Sequence, residues 1–108
     1  MKKETRLSVK IRKLVKEKYG TILHKNHGGP FTETGAADLY GTLPGGRAVY
    51  IELKTPETVK QKSGRATYQY AWLERERKLG ALTMLISSFE ELVYMFTAAG
   101  VIPIVKDS

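Results

Sequence analysis

Asp38, Glu52 and Lys54 are the residues whose types and spacing could do chemistry in this sequence. They stand on either side of the turn-forming run Leu43-Pro44-Gly45-Gly46-Arg47, in segments that read as the two arms of one hairpin. The arms are Ala36 to Thr42 and the alternating, β-rich Ala48 to Lys54. Centring the turn on Gly45 sets Asp38 opposite Glu52 and puts Ala37 and Leu39 beside Leu53 and Ile51, so the apolar side chains share one face. The other face then holds two carboxylates with Cβ atoms about 5 Å apart, a like-charge pair that costs free energy unless a cation lies between them. Lys54, two residues beyond Glu52, projects from the same face and offers one positive charge. A divalent ion offers two; carboxylate oxygens and waters suit Mg²⁺ or Mn²⁺, which keeps positions open for a phosphate oxygen and an attacking water. A half-exposed strand can carry Glu and Lys on its wet side for no purpose, and Asp38 in register on that side is what favours metal-assisted phosphodiester hydrolysis.

Gly35-Ala36-Ala37-Asp38-Leu39, a short glycine hairpin, Ile51-Glu52-Leu53-Lys54-Thr55-Pro56, then Gln69, Trp72 and Gly80 together resemble the virus-type replication-repair nuclease (VRR-NUC) domain of the PD-(D/E)XK superfamily, in its stand-alone form. The family usually has Pro before the motif aspartate, where this chain has Ala37, and the basic stretch from Glu57 to Arg65 is long. The resemblance implies a restriction-endonuclease-like α/β core, Asp38 and Glu52 as metal ligands with the Leu53 carbonyl as a third, and Lys54 beside the attacking water. It further implies Gln69 on a helix behind the site, where an amide can hold a water or phosphate oxygen, and Lys25 as a basic residue meeting the scissile strand. Related nucleases often bring an acid from the first helix toward the metal; Glu17, at the border of that helix's apolar arc, is the candidate, and it could equally pair with Lys13 or stay solvated. Stand-alone members look like dimers that resolve branched DNA.

The elements that must position these residues follow from periodicity. Leu7, Ile11, Leu14 and Val15 predict an amphipathic helix over about 5–19, ended by Gly20, whose opposite side carries Arg6, Lys10, Arg12, Lys13 and Lys16. Thr21 to Asn26 reads as a first strand, followed by the hairpin. A second helix over about 66–79 is expected to turn Tyr68, Ala71, Trp72 and Leu79 inward, and Ala81 to Ile86 is too continuously apolar for an edge strand. Ser88 with Glu91 predicts a capping box opening a third helix with Phe89, Leu92, Val93 and Phe96 inward, and the tail Val101 to Val105 an edge strand that tolerates Pro103. The order is αβββαβα, a mixed sheet flanked by helices, in a single domain over residues 1–108.

Net charge is +7, and its distribution is uneven: residues 1–18 hold eight Lys or Arg against Glu4 and Glu17, while the remainder holds ten against nine acids. A concentrated basic helix suits nucleic acid, though anionic membrane would also attract it. Lys10, Lys13 and Lys16 are candidate phosphate contacts, joined by Lys60, Lys62 and Arg65 after the motif lysine. There is no cysteine, hence no disulfide, thiol nucleophile or cysteine-based zinc site, and His24 and His27 alone make a poor zinc pair. No apolar segment follows the basic start and none reaches the length of a membrane span, so an intracellular, cytoplasmic protein of bacterial or viral origin is expected, with no membrane partner. The expected activity is a Mg²⁺- or Mn²⁺-dependent endonuclease on branched DNA such as four-way junctions, working as a homodimer through aromatic residues among Tyr68, Trp72, Tyr94, Phe96 and the tail. The alternatives are a general or sequence-specific DNA nuclease and a non-catalytic basic nucleic-acid-binding protein.

Overall fold

A computed structural model describes residues 3–28, 33, 35–55 and 64–104, the side chains at 64–67 excepted. Its elements are α1 (Lys3–Tyr19), β1 (His24–Lys25), β2 (Leu39–Thr42), β3 (Ala48–Leu53), α2 (Gly64–Lys78), β4 (Leu82–Ile86) and α3 (Phe89–Ala98), the expected αβββαβα order. They form a mixed four-stranded sheet in the order β1-β2-β3-β4, with the first two pairings antiparallel and β3-β4 parallel. The parallel pair is reached through α2, as a crossover requires.

The hairpin register matches the sequence reading: Leu39 pairs with Ile51, Tyr40 with Tyr50 and Gly41 with Val49. Leu43 N–H to Arg47 O at 2.7 Å and Gly46 N–H to Leu43 O at 3.0 Å close the turn. Gly45 and Gly46 take φ +92° and +91°, a conformation that costs side-chain-bearing residues free energy. With register fixed, Leu39, Val49, Ile51 and Leu53 all reach one face, where they join Leu82, Met84 and Ile86 beneath α1 and α3 in a continuous core. From α1 that core receives Ile11, Val15 and Tyr19, and from α3 Leu92 and Phe96, whose ring meets Tyr19 edge-on at 4.7 Å. Ser88 caps α3, its Oγ accepting from Glu91 N–H at 3.2 Å while the Glu91 carboxylate accepts from Ser87 N–H at 2.7 Å.

Four expectations are corrected. Ladder pairing on β1 is confined to His24 and Lys25, although Thr21 and Leu23 are buried and Ile22 exposed in strand-like alternation. At Gly41 the chain passes so close that a Cβ would lie 2.7 Å from the Ile22 carbonyl oxygen, an approach that glycine permits. β4 is the edge of the described sheet; its apolar run is explained by the helices packed on it. On α2 the buried residues are Gln69 and Leu73, with Trp72 half-buried, whereas Tyr68, Ala71 and Leu79 are exposed. Residues 101–104 form no strand; Ile104 N–H instead donates to Lys18 O at 2.8 Å, tying the tail to the end of α1. Among the described residues no helix is long and apolar enough to cross a membrane.

Candidate active site

Glu52, the fifth residue of β3, is the anomaly that the sheet must accommodate: a carboxyl on the face opposite the core, yet only 2% exposed because α2 covers it. Its Oε1 accepts from Gln69 Nε2 at 2.8 Å, and Gln69 Oε1 accepts from Lys54 Nζ at 2.7 Å. Lys54 fixes the amide's orientation in this linear Lys54–Gln69–Glu52 chain, because an ammonium can only donate and so takes the amide oxygen, leaving the NH2 group for Glu52. An inner position of α2 is therefore polar, so hydrophobicity alone does not mark the buried side of this helix.

Asp38, just before β2, turns its Oδ2 to the Leu53 N–H at 2.8 Å. That contact brings its carboxyl against Glu52, whose Oε2 is buried with no hydrogen-bond partner. Burial pushes the Glu52 pKa up to about 9, reinforced by the Asp38 carboxyl within hydrogen-bonding reach and by its charge; Lys54 pulls it down and Glu4 adds a smaller upward push. Beside Asp38, at the end of the sheet toward α1, a cavity of about 180 Å³ is lined by Glu4, Thr5, Ser8, Lys25, Asp38 and Leu53. Lys25 and Asp38 line the same cavity. Of the two α1 acids, Glu4 lines this cavity, whereas Glu17 is exposed about 20 Å further along the helix. A sequence signal for Glu4 existed: the buried stripe Ser8, Ile11, Val15, Tyr19, extended one step toward the N-terminus, lands on it. Among the described residues, no three His, Asp or Glu side chains converge as a ready metal cage.

A solved structure described as "VRR_NUC domain" superposes on this chain with a TM-score of 0.69 and 26% sequence identity, over 90% of this chain and 97% of that one. The chain has the fold of a VRR-NUC domain. No family profile and no curated protein matches the sequence. The four-stranded mixed sheet with its three helices agrees with a restriction-endonuclease-like core.

In this VRR-NUC-like fold the segment leading to Asp38 is fastened to the helix that carries Gln69. Gly35, at φ +85°, lies so near α2 that a Cβ there would sit 2.6 Å from the Tyr68 carbonyl oxygen and 3.1 Å from the Gln69 nitrogen. No residue with a side chain fits that approach. Two residues earlier, Glu33 accepts from both terminal nitrogens of Arg75, at 2.8 Å for the Nη2 contact, and from Trp72 Nε1 at 3.1 Å. The Arg75 and Trp72 hydrogen bonds hold the Glu33 pKa down at about 2. Exposed pairs add little stability, but a bidentate guanidinium with a third donor sets geometry, here the separation of Asp38 from Gln69.

Lys10, Lys13 and Lys16 are exposed along α1. Lys13 and Lys16 border a shallow groove with Val9, Arg12, Ile22 and Leu23, separate from the Asp38 cavity. Lys60 and Lys62, and the Arg65 side chain, lie outside the described residues. Leu53 is 1% exposed, with its side chain in the core and its N–H held by Asp38.

Proposed function

We propose that this protein is a divalent-metal-dependent endodeoxyribonuclease that hydrolyses phosphodiester bonds in branched DNA, four-way junctions included, as a homodimer acting in the cytoplasm. A fold neighbour of the VRR-NUC kind suggests a nuclease of the PD-(D/E)XK type. The observation that carries the proposal is the unpartnered Glu52 Oε2, buried against a second carboxyl. Two anions so placed are costly in a low-dielectric setting, and a dication is the counter-ion that lets both ionise. The donors are hard oxygens, as Mg²⁺ and Mn²⁺ prefer.

Asp38, Glu52 and the Leu53 carbonyl would hold that ion, which supplies a polarised phosphate and a more acidic water when bound. Lys54 brings a point charge to the oxygens on which negative charge accumulates as water attacks phosphorus and the ester oxygen departs. Gln69 aims that ammonium by accepting from it while anchored to Glu52. Lys25 lines the cavity beside Asp38 and offers a contact for the strand being cut. Lys10, Lys13 and Lys16 extend a positive face for flanking phosphates, where contacts position the DNA without reading sequence. For assembly, Phe96 is withdrawn from the expected surface because it is fully buried, while Tyr94, Ile102 and Ile104 remain exposed and suit a self-complementary contact.

Incubating the protein with labelled linear duplex, flap and four-way junction DNA, in Mg²⁺, Mn²⁺ or EDTA, tests the reading. Cutting of the junction in either metal and none in EDTA is expected. Salt-sensitive binding to every DNA with no cutting in any metal would replace it with the non-catalytic binding protein. Equal cutting of linear duplex would make it a general nuclease, and sedimentation of a monomer alone and on the junction would remove the dimer.

A further inference from the structure

The face of the sheet that carries Glu52 and Lys54 also carries a row of aromatic side chains that cleavage does not use. Tyr40 and Tyr50 are cross-strand partners on β2 and β3, and His24 on β1 is the partner of Tyr40. The His24 and Tyr40 rings stand 5.3 Å apart and 31° from parallel, and Tyr50 meets Trp72 of α2 edge-on at 4.8 Å. The row therefore crosses three strands and continues onto the helix. Tyr50 is two residues before Glu52, which puts the row about 7 Å from the carboxylates along the strands, the length of a single extended nucleotide.

Its composition is unusual for its position. A strand with one face in the core ordinarily alternates to polar residues on the other. Here Tyr40 is 43% exposed and His24 is exposed, while their neighbours Leu39 and Leu23 are buried. Cross-strand aromatic pairing stabilises a sheet, but it does not require the rings to stay open to solvent. Open aromatic rings on a sheet surface are a platform on which any unpaired base can stack, because every base has a flat π-face. The surroundings favour the same ligand. A chain of net charge +7 attracts a polyanion, and the Glu33 carboxylate that accepts from Trp72 at the far end of the row is neutralised by Arg75.

We infer that His24, Tyr40, Tyr50 and Trp72 form a stacking shelf for an unpaired nucleobase, one nucleotide from the phosphate held at Asp38 and Glu52. The inference rests on the nuclease reading for the identity of the strand, and it deepens that reading by giving branch selectivity a physical basis. A continuous duplex keeps its bases stacked on one another; a branch point or a frayed end releases one at small cost. The shelf selects for that release without reading sequence.

Single-stranded oligonucleotides carrying 2-aminopurine, and the fully paired duplex of the same sequence, test this in EDTA with the full chain. The wild-type protein should change the fluorescence of the single strand through stacking. Tyr40→Thr should weaken single-strand binding by about tenfold or more and duplex binding by less than about twofold. Tyr40→Leu, which keeps apolar bulk without a flat ring, should do the same, whereas Tyr40→Phe and the remote Tyr94→Ser should bind as the wild type does. Unchanged single-strand affinity in Tyr40→Thr and Tyr40→Leu, or an equal loss on duplex, overturns the shelf. A shift in sedimentation without a change in DNA affinity also overturns it, and assigns the row to a protein contact. Because metal is absent, the two readings separate: stacking without cleavage in the metal assay keeps the shelf and removes the nuclease, and cleavage without stacking does the reverse.

Discussion

The two faces of the sheet are built on opposite principles. Beneath α1 and α3, Leu39, Val49, Ile51, Leu53, Leu82, Met84 and Ile86 present only hydrocarbon and sulfur, and their burial favours folding wherever the chain is placed. Under α2, one residue along from Ile51, Glu52 is buried almost as deeply with one oxygen unpartnered and another carboxyl against it. The first face stabilises the second, and the second holds a charge arrangement that folding alone would not choose. Local destabilisation of this kind marks sites arranged for a ligand.

The contrast breaks most severely at the charges. Asp38→Asn keeps an oxygen for the Leu53 N–H and removes the anion, so cleavage should fall to background with the fold retained; Lys54→Ala should cost about 10²-fold or more in kcat with little change in DNA affinity. Steady-state kinetics beside an equilibrium binding assay separates the two effects, and equal losses for Lys54→Ala would make it an ordinary phosphate contact. Adjacent residues on β3 should then give opposite stability changes. Ile51→Ala leaves a cavity and should destabilise by about 2–5 kcal/mol, whereas Glu52→Gln removes a buried ionisable group and should raise the melting temperature of the metal-free protein. Destabilisation by both would mean that the second face is ordinary core.

Titration sharpens the same comparison. The folded-state pKa of Glu52 lies near 9, above its unfolded value near 4.5, so over that window the unfolded chain loses its proton first and ionisation opposes folding. Metal-free stability should therefore fall between about pH 5 and 9, by up to about 1.4 kcal/mol per pH unit, and the slope should vanish in Glu52→Gln. Urea melts at several pH values read this directly; a wild-type slope identical to that of the variant would contradict it. The smallest effect belongs to the clamp. Glu33→Gln should leave the melting temperature almost unchanged yet lower turnover by about tenfold through a displaced Asp38. Turnover unchanged would reduce the Glu33–Arg75 pair to surface decoration.

Much of this arrangement was legible because it is local. Register around Gly45 is set by turn chemistry, and a strand's period of two then decides which residues share a face, so Asp38 opposite Glu52 followed without coordinates. What escaped was set by packing between elements. The inner side of α2 could not be read from hydrophobicity because its central residue is Gln69, buried for its hydrogen bonds. Glu4 escaped because an acid at the end of a helix looks solvated until the sheet end and Asp38 are placed beside it. β4 looked central from its apolar run, which reflects helix cover rather than strand neighbours. The tail lost its expected strand for a hydrogen bond to Lys18, a contact between segments far apart in sequence.

The central claim is that the buried Asp38 and Glu52 pair is held ready for a dication, and calorimetric titration with Mn²⁺ tests it without any substrate. With Glu52 protonated near neutral pH in the metal-free protein, binding must expel that proton. Titrations at pH 7 in buffers of different ionisation enthalpy should report close to one proton released per Mn²⁺ by the wild-type protein, and in Glu52→Gln weak binding with none. Tight Mn²⁺ binding that releases no proton, or that survives undiminished in Glu52→Gln, would contradict the account.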